Sequence, residues 1–349
     1  MNSGLPEATA AASPAPHTPA VTILVVNYNS GHWLQKCLDA LRIQTLRDFE
    51  VRIIDNASTD QSGHPSLPDA RFSLHQSAEN LGFAAANNLL AKDTHSPWLA
   101  LLNPDAVAKP DWLEQLIFEA KAHPEVAIFG STQIRASEPA ILDGTGDCLS
   151  GFGPCWRSGY GHAVSNDLPT GEVFSACGAA MMISRPLFES LGGFEERFFC
   201  YMEDVDLCFR ARLAGECVWQ SDRACVLHAG GASTESGEST FSMFHGYRNA
   251  IWMHLRCMPL ALLAISLPGL ICFTLLRMTR MRAPGQVPAL WRGLIAGLRP
   301  IGQLLSQRRV IQAGRRVSTR DVAGWLSWNP RDILARRCIT FNAQKKARP

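Results

Sequence analysis

Three carboxylates lie within four residues of one another in the segment YMEDVDLCFRARLAG, at Glu203, Asp204 and Asp206. Acidic side chains in the first turn of a helix each contribute roughly 0.3 to 1 kcal/mol by opposing the helix dipole. One acid would suffice for that purpose, whereas three repel one another and raise the proton affinity of at least one of them. Because such a carboxylate can take a proton from a hydroxyl nucleophile, a structural and a catalytic role both stay open.

A second set of candidates lies in LLNPDA. Asp105 follows an apolar segment, with Asn103 two residues earlier on the same side of an extended chain. Both side chains offer hard oxygen ligands of the kind that Mg²⁺ or Mn²⁺ accepts together with water and phosphate, although Asn-Pro-Asp is also common in turns. His228, at the end of a later predicted strand, is either a further metal ligand or a half-buried histidine.

The elements that must position these residues alternate between strand and helix. VTILVV, FEVRIID, WLALL and VAIFG are typical of strands, and SGHWLQKCLDALRIQ, NLGFAAANNLLAKD and PDWLEQLIFEAKAH are typical of helices, the first with Ser30 as its N-cap. A Gly-rich section from 143 to 172 is predicted to be a long functional loop, and GAAMMISRPLF after it a buried strand. CVWQ and ACVLHAGGAS come after the acidic helix. This order predicts an α/β fold, with a mostly parallel mixed sheet covered by helices on both faces.

Polar residues fall at the carboxyl ends of the predicted strands. Asn27 and Asn29 follow the first strand, Asp55 follows the second, and Asn103 with Asp105 follows WLALL. Ligands of open α/β sheets bind beyond these strand ends, so the residues are candidates for one binding site. A nucleotide-dependent dehydrogenase would carry GxGxxG after its first strand, and VVNYNSG excludes that class.

Charge is divided unevenly along the chain. From residue 277 onward there are 16 Lys and Arg against 2 acids, whereas residues 1–276 hold 17 against 29. The eleven cysteines include no CxxC pair, so neither a disulfide framework nor a thiolate zinc site is indicated. Residues 1–20 lack the basic start and apolar run of a secretion signal and are predicted to be a disordered tail. We therefore expect a protein of the reducing cytoplasm.

Seven segments, in order, resemble glycosyltransferase family 2 and specifically its rhamnosyltransferase-like branch. They are VVNYNS, IIDNASTD, ENLGFAAANN, LLNPDA, GAAMMI, GGFEERFFCYMEDVDLCFRARLAG and LHAGGAS, and the resemblance runs from about Val21 to Ser233. It implies a GT-A fold, in which a nucleotide-binding half and an acceptor-binding half share one sheet, and Mg²⁺ or Mn²⁺ on the donor diphosphate. The predicted organisation is a tail over 1–20, a GT-A domain over 21–235 and a helical, basic C-terminal region over 236–349.

The resemblance also implies roles for the nucleotide-side residues. Asp55 is similar to the family residue that hydrogen-bonds a pyrimidine base, in a pocket lined by Asn27, Tyr28 and Asn29. Further donor-pocket candidates are Asn80, Gly82, Asn87 and Asn103, with Gly82 equally readable as a helix-start glycine. Arg248 in GYRNAIW is either a bidentate phosphate ligand or a helix-surface arginine.

The same resemblance assigns the chemistry. Asp105 corresponds to the metal-binding end of the family's DxD motif, whose first acid is here Asn103, leaving fewer charged ligands. His228 becomes a metal ligand. Asp204, the second acid of the family's ED motif, becomes the base, with Glu203 and Asp206 orienting it or holding the acceptor.

The implied reaction is an inverting, metal-dependent sugar transfer in cell-surface glycan biosynthesis. The donor would be a deoxysugar such as rhamnose on thymidine diphosphate, and the acceptor a lipid-linked or polysaccharide hydroxyl. Two alternatives stay open: a catalytically silent membrane-bound scaffold of the same fold, and a sugar nucleotidyltransferase. The second would need a Gly-rich basic loop after the first strand, which VVNYNSG is not.

The segment 258–276 contains 19 residues without a charge, just enough to cross a bilayer as a helix. A single crossing would export the basic tail against the positive-inside rule, and Pro268 interrupts the segment. We therefore expect a re-entrant or surface-lying helix on the inner face of the cell membrane, with nearby arginines facing anionic headgroups. These are Arg277, Arg280, Arg282, Arg308, Arg309, Arg315 and Arg316. A soluble helical cap is the alternative; no base-reading motif supports nucleic-acid binding.

Overall fold

The structure, a computed structural model, describes residues 17–165, 167–230, 239–281 and 283–341. Residues 1–16 of the predicted tail therefore lie outside it. So do Ser233, at the end of the family resemblance, the predicted domain boundary between residues 235 and 236, and Arg282.

The described residues form twelve strands and eleven α-helices. The strands are β1 Val21–Asn27, β2 Phe49–Asp55, β3 Phe72–Gln76, β4 Trp98–Leu102, β5 Ala106–Ala108, β6 Val126–Arg135, β7 Leu142–Gly144, β8 Asp147–Leu149, β9 Cys155–Arg157, β10 Gly171–Glu172, β11 Ala180–Ser184 and β12 Cys217–His228. The helices are α1 Trp33–Arg42, α2 Gly82–Ala91, α3 Trp112–Ala122, α4 Arg185–Ser190, α5 Glu203–Leu213, α6 Thr240–Cys257, α7 Leu260–Met278, α8 Gln286–Leu298, α9 Ile301–Ala313, α10 Thr319–Gly324 and α11 Pro330–Leu334.

One mixed sheet organises the described part of the chain. Its strand order is β10, β12, β6, β11, β4, β1, β2, β3, with β5 added to β12 and β7 added to β6. The neighbours β4, β1, β2 and β3 are parallel, and so are β6 and β12. β11 runs antiparallel between β4 and β6, where it joins the two parallel parts.

Both faces of this sheet carry helices, as predicted. Alternate side chains of β1 point to opposite faces, which explains why VTILVV is continuously apolar. Ile23 and Val25 pack with residues of α1 and α3. Leu24 and Val26 pack in a separate core with residues of α2, α4 and α5.

The sheet brings the predicted site residues to one edge. Asn27 and Asp55 are register partners at the carboxyl ends of the parallel strands β1 and β2. β12 ends at His228, which pairs with Ala106 of β5 and so lies beside Asp105. The chain between β4 and β5 therefore meets the end of β12 at the same edge where β1 and β2 end.

Three local predictions are corrected. The section from 143 to 172 is not one long loop, because β8 and β9 form an antiparallel hairpin within it. CVWQ and ACVLH form the single strand β12, with an irregularity between Ser221 and Cys225. Ser30 does not cap α1, which begins after His32, because its hydroxyl donates to Asn27 Oδ1.

The C-terminal helices share a second apolar core with the acidic helix α5. Val205 and Phe209 of α5 pack in one cluster with Ile251 and Trp252 of α6 and with residues of α8 and α9. α6 thus closes one side of the sheet domain, and the helical region is packed onto it rather than held apart.

α7 is the one helix in the described residues that is long and apolar enough to cross a membrane, by length and composition alone. Its most apolar window has a mean hydropathy of 2.0, and 22% of that window is buried. α7 continues through Pro268 and packs against the turn of the β8–β9 hairpin. A Cβ on Gly269 would overlap the Phe152 carbonyl group, so the two backbones touch there.

Candidate active site

The candidate metal ligands lie together. His228 Nε2 is 3.2 Å from Asp105 Oδ1, and both side chains are buried. The other ring nitrogen, Nδ1, is 2.7 Å from Asp143 Oδ2. A histidine that binds a metal through one nitrogen commonly donates its other N–H to a carboxylate, which fixes the ring and its tautomer. Asp105 and His228 therefore have the donor atoms and the outer support that a divalent cation requires.

The charge balance at this pair also fits a cation. Burial alone would lower the pKa of His228, but Asp105 and Asp143 raise it to about 9. Without a metal ion, the His228 ring is therefore protonated and positively charged between the two carboxylates. A divalent ion at Asp105 would supply that positive charge instead, with His228 neutral and Nε2 as the ligand atom.

Arg157 continues this chain of contacts. Its Nη1 lies 2.7 Å from Asp143 Oδ2, and its Nη2 donates to Cys177 Sγ at 3.5 Å. Arg157 also lies close enough to Asp204 for its charge to lower the pKa of that carboxyl. One guanidinium therefore lies between the Asp105–His228 pair and the start of the acidic helix.

A backbone connection joins the same two regions. The Asn103 N–H donates to the Ala179 carbonyl at 2.9 Å, and the N–H of the neighbouring Gly178 donates to Asp204 Oδ2 at 2.8 Å. A Cβ on Gly178 would lie 3.2 Å from Asp204 Cβ, so a glycine allows this approach. The segments that carry Asp105 and Asp204, far apart in sequence, are thus connected through residues 178 and 179.

The three clustered carboxylates have different surroundings. Glu203 is 5% exposed and Asp206 is 0% exposed, whereas Asp204 is only partly buried. Burial, followed by the charge of Asp204, raises the pKa of Glu203 well above its ordinary value. Burial also raises the pKa of Asp204, against the lowering effect of the N–H groups of Gly178 and Val205.

The contacts of Asp206 argue against one of its two expected roles, which is to hold the acceptor. Its Oδ2 accepts from Arg210 Nε at 2.8 Å, and its Oδ1 accepts from Arg256 Nη1 at 2.8 Å and from the Cys257 thiol at 3.4 Å. Both oxygens are thereby occupied inside the protein. Asp206 ties α5 to α6 and has no oxygen left for an acceptor.

Asp55 lies at the centre of a buried hydrogen-bond network. Asn27 Nδ2 donates to Asp55 Oδ1 at 2.7 Å, and the Ser58 N–H donates to Oδ2 at 3.1 Å. Asn27 also donates to the Ser62 carbonyl at 3.1 Å. Asn27 is fully buried and therefore supports Asp55 from beneath. Gly63 lies so close that a Cβ there would be 3.0 Å from Asp55 Oδ2.

Tyr28 and Asn29 lie at the mouth of this network. Tyr28 is 38% exposed, so its ring is open to a ligand. Asn29 has a φ of 48°, and its Oδ1 accepts from the Thr59 N–H at 2.8 Å, which fixes the loop after β2. The two loops that follow β1 and β2 are thus held together by side chains of the predicted set.

Gly82 contacts the turn before α5. Its φ of 80° suits glycine, and a Cβ there would lie 2.5 Å from Phe199 Cδ2. Asn80 Oδ1 accepts from the Gly82 N–H at 2.9 Å and shapes the start of α2. Asn87 is buried and donates to the Phe83 carbonyl at 2.9 Å. These contacts position the turn, and the predicted contacts with a donor stay predictions.

That turn has an unusual backbone. Phe199, Tyr201 and Met202 all have φ values between 65° and 69°, a region that costs residues other than glycine free energy. Asn249 of α6 stabilises it, because Nδ2 donates to the carbonyls of Phe198, Cys200 and Tyr201 at 2.7 to 2.9 Å.

Arg248 contributes to the same support. Its Nη2 donates to the Phe198 carbonyl at 2.8 Å and to the Arg197 carbonyl at 3.1 Å. Its predicted contact with phosphates stays a prediction.

Comparison with known proteins identifies the family. The model of glycosyl transferase family 2 matches residues 22–192. Residues 22–192 belong to glycosyl transferase family 2. The predicted family and the GT-A fold are thereby confirmed.

This glycosyltransferase has relatives of known name. It is 29% identical over 245 residues to the N-acetylglucosaminyl-diphospho-decaprenol L-rhamnosyltransferase of Mycobacterium tuberculosis, a match that covers 62% of this chain and 78% of the relative. It is 25% identical over 244 residues to the low-salt glycan biosynthesis hexosyltransferase Agl10 of Haloferax volcanii, covering 66% of this chain and 73% of that one. The predicted resemblance to rhamnosyltransferases is confirmed by the first of these.

Solved structures share the fold of this glycosyltransferase. TarS of S. aureus, in complex with UDP-GlcNAc, superposes with a TM-score of 0.52 at 16% identity, over 88% of this chain and 93% of that one. The mannosyltransferase PcManGT of Pyrobaculum calidifontis, in complex with GDP-Man and Mn²⁺, gives a TM-score of 0.50 at 16% identity, over 86% of each chain.

Several residues of this site in the glycosyltransferase were not found from the sequence. Asp143, Asp147 and Arg157 all lie in the Gly-rich section, which was predicted to be functional as a whole. The Gly-rich composition indicated the segment, but the spacing of residues within it did not distinguish these three from the other polar residues there. Cys177 and Asn249 gave no signal, because an isolated Cys or Asn on an apolar element is common.

Proposed function

We propose that this chain is an inverting, metal-dependent glycosyltransferase that moves rhamnose or a similar deoxysugar from a nucleoside diphosphate to a hydroxyl group of a lipid-linked or polysaccharide acceptor. The observation that carries the proposal is the placement of Asp204. Of the three clustered acids it is the one that combines a raised pKa with partial exposure, while Glu203 and Asp206 are buried.

Asp204 is the general base of this proposal. The Gly178 and Val205 N–H groups hold its two oxygens, at 2.8 Å each, and so fix the orientation of the carboxylate. The carboxylate takes the proton of the acceptor hydroxyl as its oxygen bonds to the anomeric carbon. The bond from that carbon to the diphosphate oxygen breaks in the same displacement, and the nucleoside diphosphate leaves. Attack from the opposite face inverts the anomeric configuration without a covalent intermediate.

Asp105 and His228 would hold the divalent cation, with Asp143 orienting His228. Such an ion, when bound, acts as a Lewis acid that stabilises negative charge on the leaving diphosphate. Asn103 replaces the first acid expected at this site, so the protein itself contributes one carboxylate from this segment.

Asp55 would recognise the pyrimidine base of the donor. Asn27 and Ser58 fix its carboxylate, and Tyr28 at the mouth of the network offers a face for stacking. The choice of a rhamnosyl donor and a lipid diphosphate acceptor is supported by the name of the mycobacterial relative.

The proposal is tested by thermal unfolding and turnover. In the presence of Mn²⁺, thymidine diphosphate rhamnose should raise the melting temperature of the wild type, and Asp55→Ala should abolish that rise. With an N-acetylglucosaminyl diphospholipid as acceptor, Asp204→Asn should lower kcat by about 10²- to 10⁴-fold while keeping the donor-induced rise.

Controls separate the alternatives. Asp39→Asn changes an exposed carboxyl of α1 and should alter neither measurement. A chain with the fold but no activity would give no turnover with any nucleotide sugar in a panel of donors. Full activity in Asp204→Asn would eliminate the assignment of the base.

We further propose that the C-terminal helices lie on an anionic membrane surface. α7, α8 and α9 expose many large apolar side chains, and large exposed apolar surface is typical of a membrane or protein interaction site. They include Leu260, Ile265, Leu275, Leu276, Trp291, Ile295, Leu298, Leu305 and Val310, each at least 43% exposed. Nearby arginines supply the positive charge that anionic headgroups attract.

Sedimentation with lipid vesicles tests this placement. The protein should sediment with vesicles containing phosphatidylglycerol and much less with vesicles of phosphatidylcholine alone, and added salt should weaken the binding. The double variant Leu275→Gln, Leu276→Gln should reduce binding, whereas Leu67→Gln, an exposed leucine outside the helices, should not. Equal recovery of all forms with both vesicles would contradict the proposal.

A further inference from the structure

A second carboxyl lies beside Asp204. One oxygen of Asp147, one oxygen of Asp204 and Cys177 Sγ all lie within 4.8 Å of one another. Asp147 begins β8, and its cross-strand partner in the hairpin is Arg157. Its backbone pairs with Ser175, at 2.8 Å and 3.2 Å, so the hairpin is fixed against the segment that leads to Gly178.

This cluster does not have the character of a metal site. Arg157 Nη2 donates to Cys177 Sγ, so a positive charge already occupies that side of the cluster. Burial, partly offset by Arg157, raises the pKa of Cys177 to about 12, so the thiol is protonated beside this guanidinium. Asp147 and Asp204 are then two neighbouring carboxyl groups beside a single guanidinium.

Titratable groups surround the pair from several elements. The groups close enough to interact electrostatically with it are Arg157 and Cys155 of β9, Cys148 of β8, Asp143 of β7, Cys177 and Glu203. Arg157 is the one positive charge among these groups, and it also pairs with Asp143. Glu203 adds a polar group that is 5% exposed and whose Oε2 has no hydrogen-bond partner among the described residues. The arrangement therefore holds one buried carboxyl oxygen, Glu203 Oε2, that no described residue satisfies.

We propose that Asp147 is an acceptor-binding residue that shares one proton with Asp204, so that protonated Asp147 donates to a hydroxyl next to the reacting one while ionised Asp204 receives the proton of the reacting hydroxyl. The inference rests on the role of Asp204 in the proposed function. It adds a substrate class, namely acceptor sugars with a free hydroxyl adjacent to the one that is glycosylated. Burial, followed by the charge of Asp204, raises the pKa of Asp147 to about 7, which agrees with a proton on Asp147.

Carbon-13 NMR of protein labelled at the aspartate carboxyls tests the shared proton without any substrate. In Asp204→Asn, which removes the neighbouring charge, the pKa of Asp147 should fall by at least about one unit. Cys177→Ser is the matched control, since it changes a neutral neighbour and should leave the pKa of Asp147 in place. An unchanged pKa of Asp147 in Asp204→Asn would overturn the proposal. Asp204→Ser, also uncharged, provides the same test if the asparagine variant fails to fold.

Turnover tests the contact with the acceptor. Asp147→Asn should raise the KM for the N-acetylglucosaminyl diphospholipid. With the wild type, an acceptor analogue that lacks the adjacent hydroxyl should show the same rise in KM. With the variant, that analogue should show no further rise. If the two increases in KM multiply when variant and analogue are combined, Asp147 and that hydroxyl act independently, which contradicts the proposal. Full turnover in Asp204→Asn would refute the base assignment and yet leave the NMR result intact, so the two failures are distinguishable.

Discussion

Arg157 and Asp143 form an ion pair of 2.7 Å between Nη1 and Oδ2, and this pair connects the two ends of the site. Asp143 orients His228 on one side. On the other side, Arg157 contacts Cys177 and lowers the proton affinity of Asp204. A substitution of either residue should therefore affect both cation binding at Asp105 and His228 and the proton affinity of Asp204.

Asp143→Asn should weaken metal binding without removing a ligand. The amide cannot hold the His228 ring as a carboxylate does, and loss of such an outer partner typically costs 10- to 100-fold in metal affinity. The Mn²⁺ concentration that gives half-maximal turnover should rise by that factor. Asp39→Asn, on the exposed face of α1, should leave it unchanged. An unaltered Mn²⁺ requirement in Asp143→Asn would remove Asp143 from the site.

Asn27→Asp should destabilise the fold. It replaces the donor that lies 2.7 Å from Asp55 Oδ1 with a second buried carboxylate, and an uncompensated buried charge costs about 3 to 5 kcal/mol. The free energy of unfolding in urea at pH 7 should fall by about that amount and recover in part at pH 4, where one carboxyl is protonated. Asn80→Asp is the matched control, because Asn80 Oδ1 only accepts from the Gly82 N–H and a carboxylate can do the same.

The strand ends could be predicted from the sequence because parallel strands impose their own geometry. Asn27, Asp55 and Asp105 follow apolar segments, and the carboxyl ends of parallel neighbours meet at one edge whatever the loops do. β11 could not be placed in this way, since its composition is that of any buried strand and only the tertiary fold inserts it antiparallel between β4 and β6.

The roles of the three acids in α5 could not be assigned from the sequence alone. Glu203, Asp204 and Asp206 point in different directions around α5, since successive residues turn by about 100°. Which of them faces a cleft depends on where α6 packs, and Arg256, the partner of Asp206, is 50 residues away. The hairpin that carries Asp147 and Arg157 likewise gave no periodic signal, because each of its strands has only three residues.

Asp204→Asn and Asp206→Asn should have opposite effects, although the residues are two positions apart. Asp206→Asn leaves Arg210 and Arg256 with a neutral partner, so the free energy of unfolding should fall by about 3 kcal/mol. Asp204→Asn loses one backbone hydrogen bond but also removes a charge from a cluster of carboxyls, so it should destabilise the protein much less, while turnover collapses. Urea unfolding of both variants measures the free energy of unfolding, and initial rates measure turnover. Equal stability in the two variants would contradict the structural role of Asp206.

Gly269→Ala should disturb the contact between α7 and the hairpin. A Cβ there would overlap the Phe152 carbonyl group, so the helix and the β8–β9 turn must separate. The melting temperature should fall, and turnover should fall further than stability explains, because the same hairpin carries Asp147 and Arg157. Gly302→Ala in α9 is the control. Nothing lies within 4 Å of its Cβ position, and alanine favours helix by up to about 1 kcal/mol.

His254 should make the fold sensitive to mild acid. It is 0% exposed in α6, its Nδ1 donates to the Ala250 carbonyl at 2.7 Å, and burial lowers its pKa from 6.5 to about 4. As the pH falls from 6.5 to 4, the unfolded chain binds a proton that the folded chain excludes, so stability is lost across this window. The loss is at most about 3 kcal/mol.

His254→Gln should reduce that loss, because the amide can donate to Ala250 but does not titrate. Urea unfolding at pH 7 and pH 4.5 gives the comparison: the stability lost between the two values should be smaller in the variant than in the wild type by an amount of that order. Asp147 and Glu203, whose raised pKa values act in the opposite direction, are present in both proteins and cancel in the difference. His75→Gln, at an exposed position of β3, should leave the wild-type pH dependence in place. If the two variants lose the same stability, the buried ring of His254 is not the group that excludes the proton.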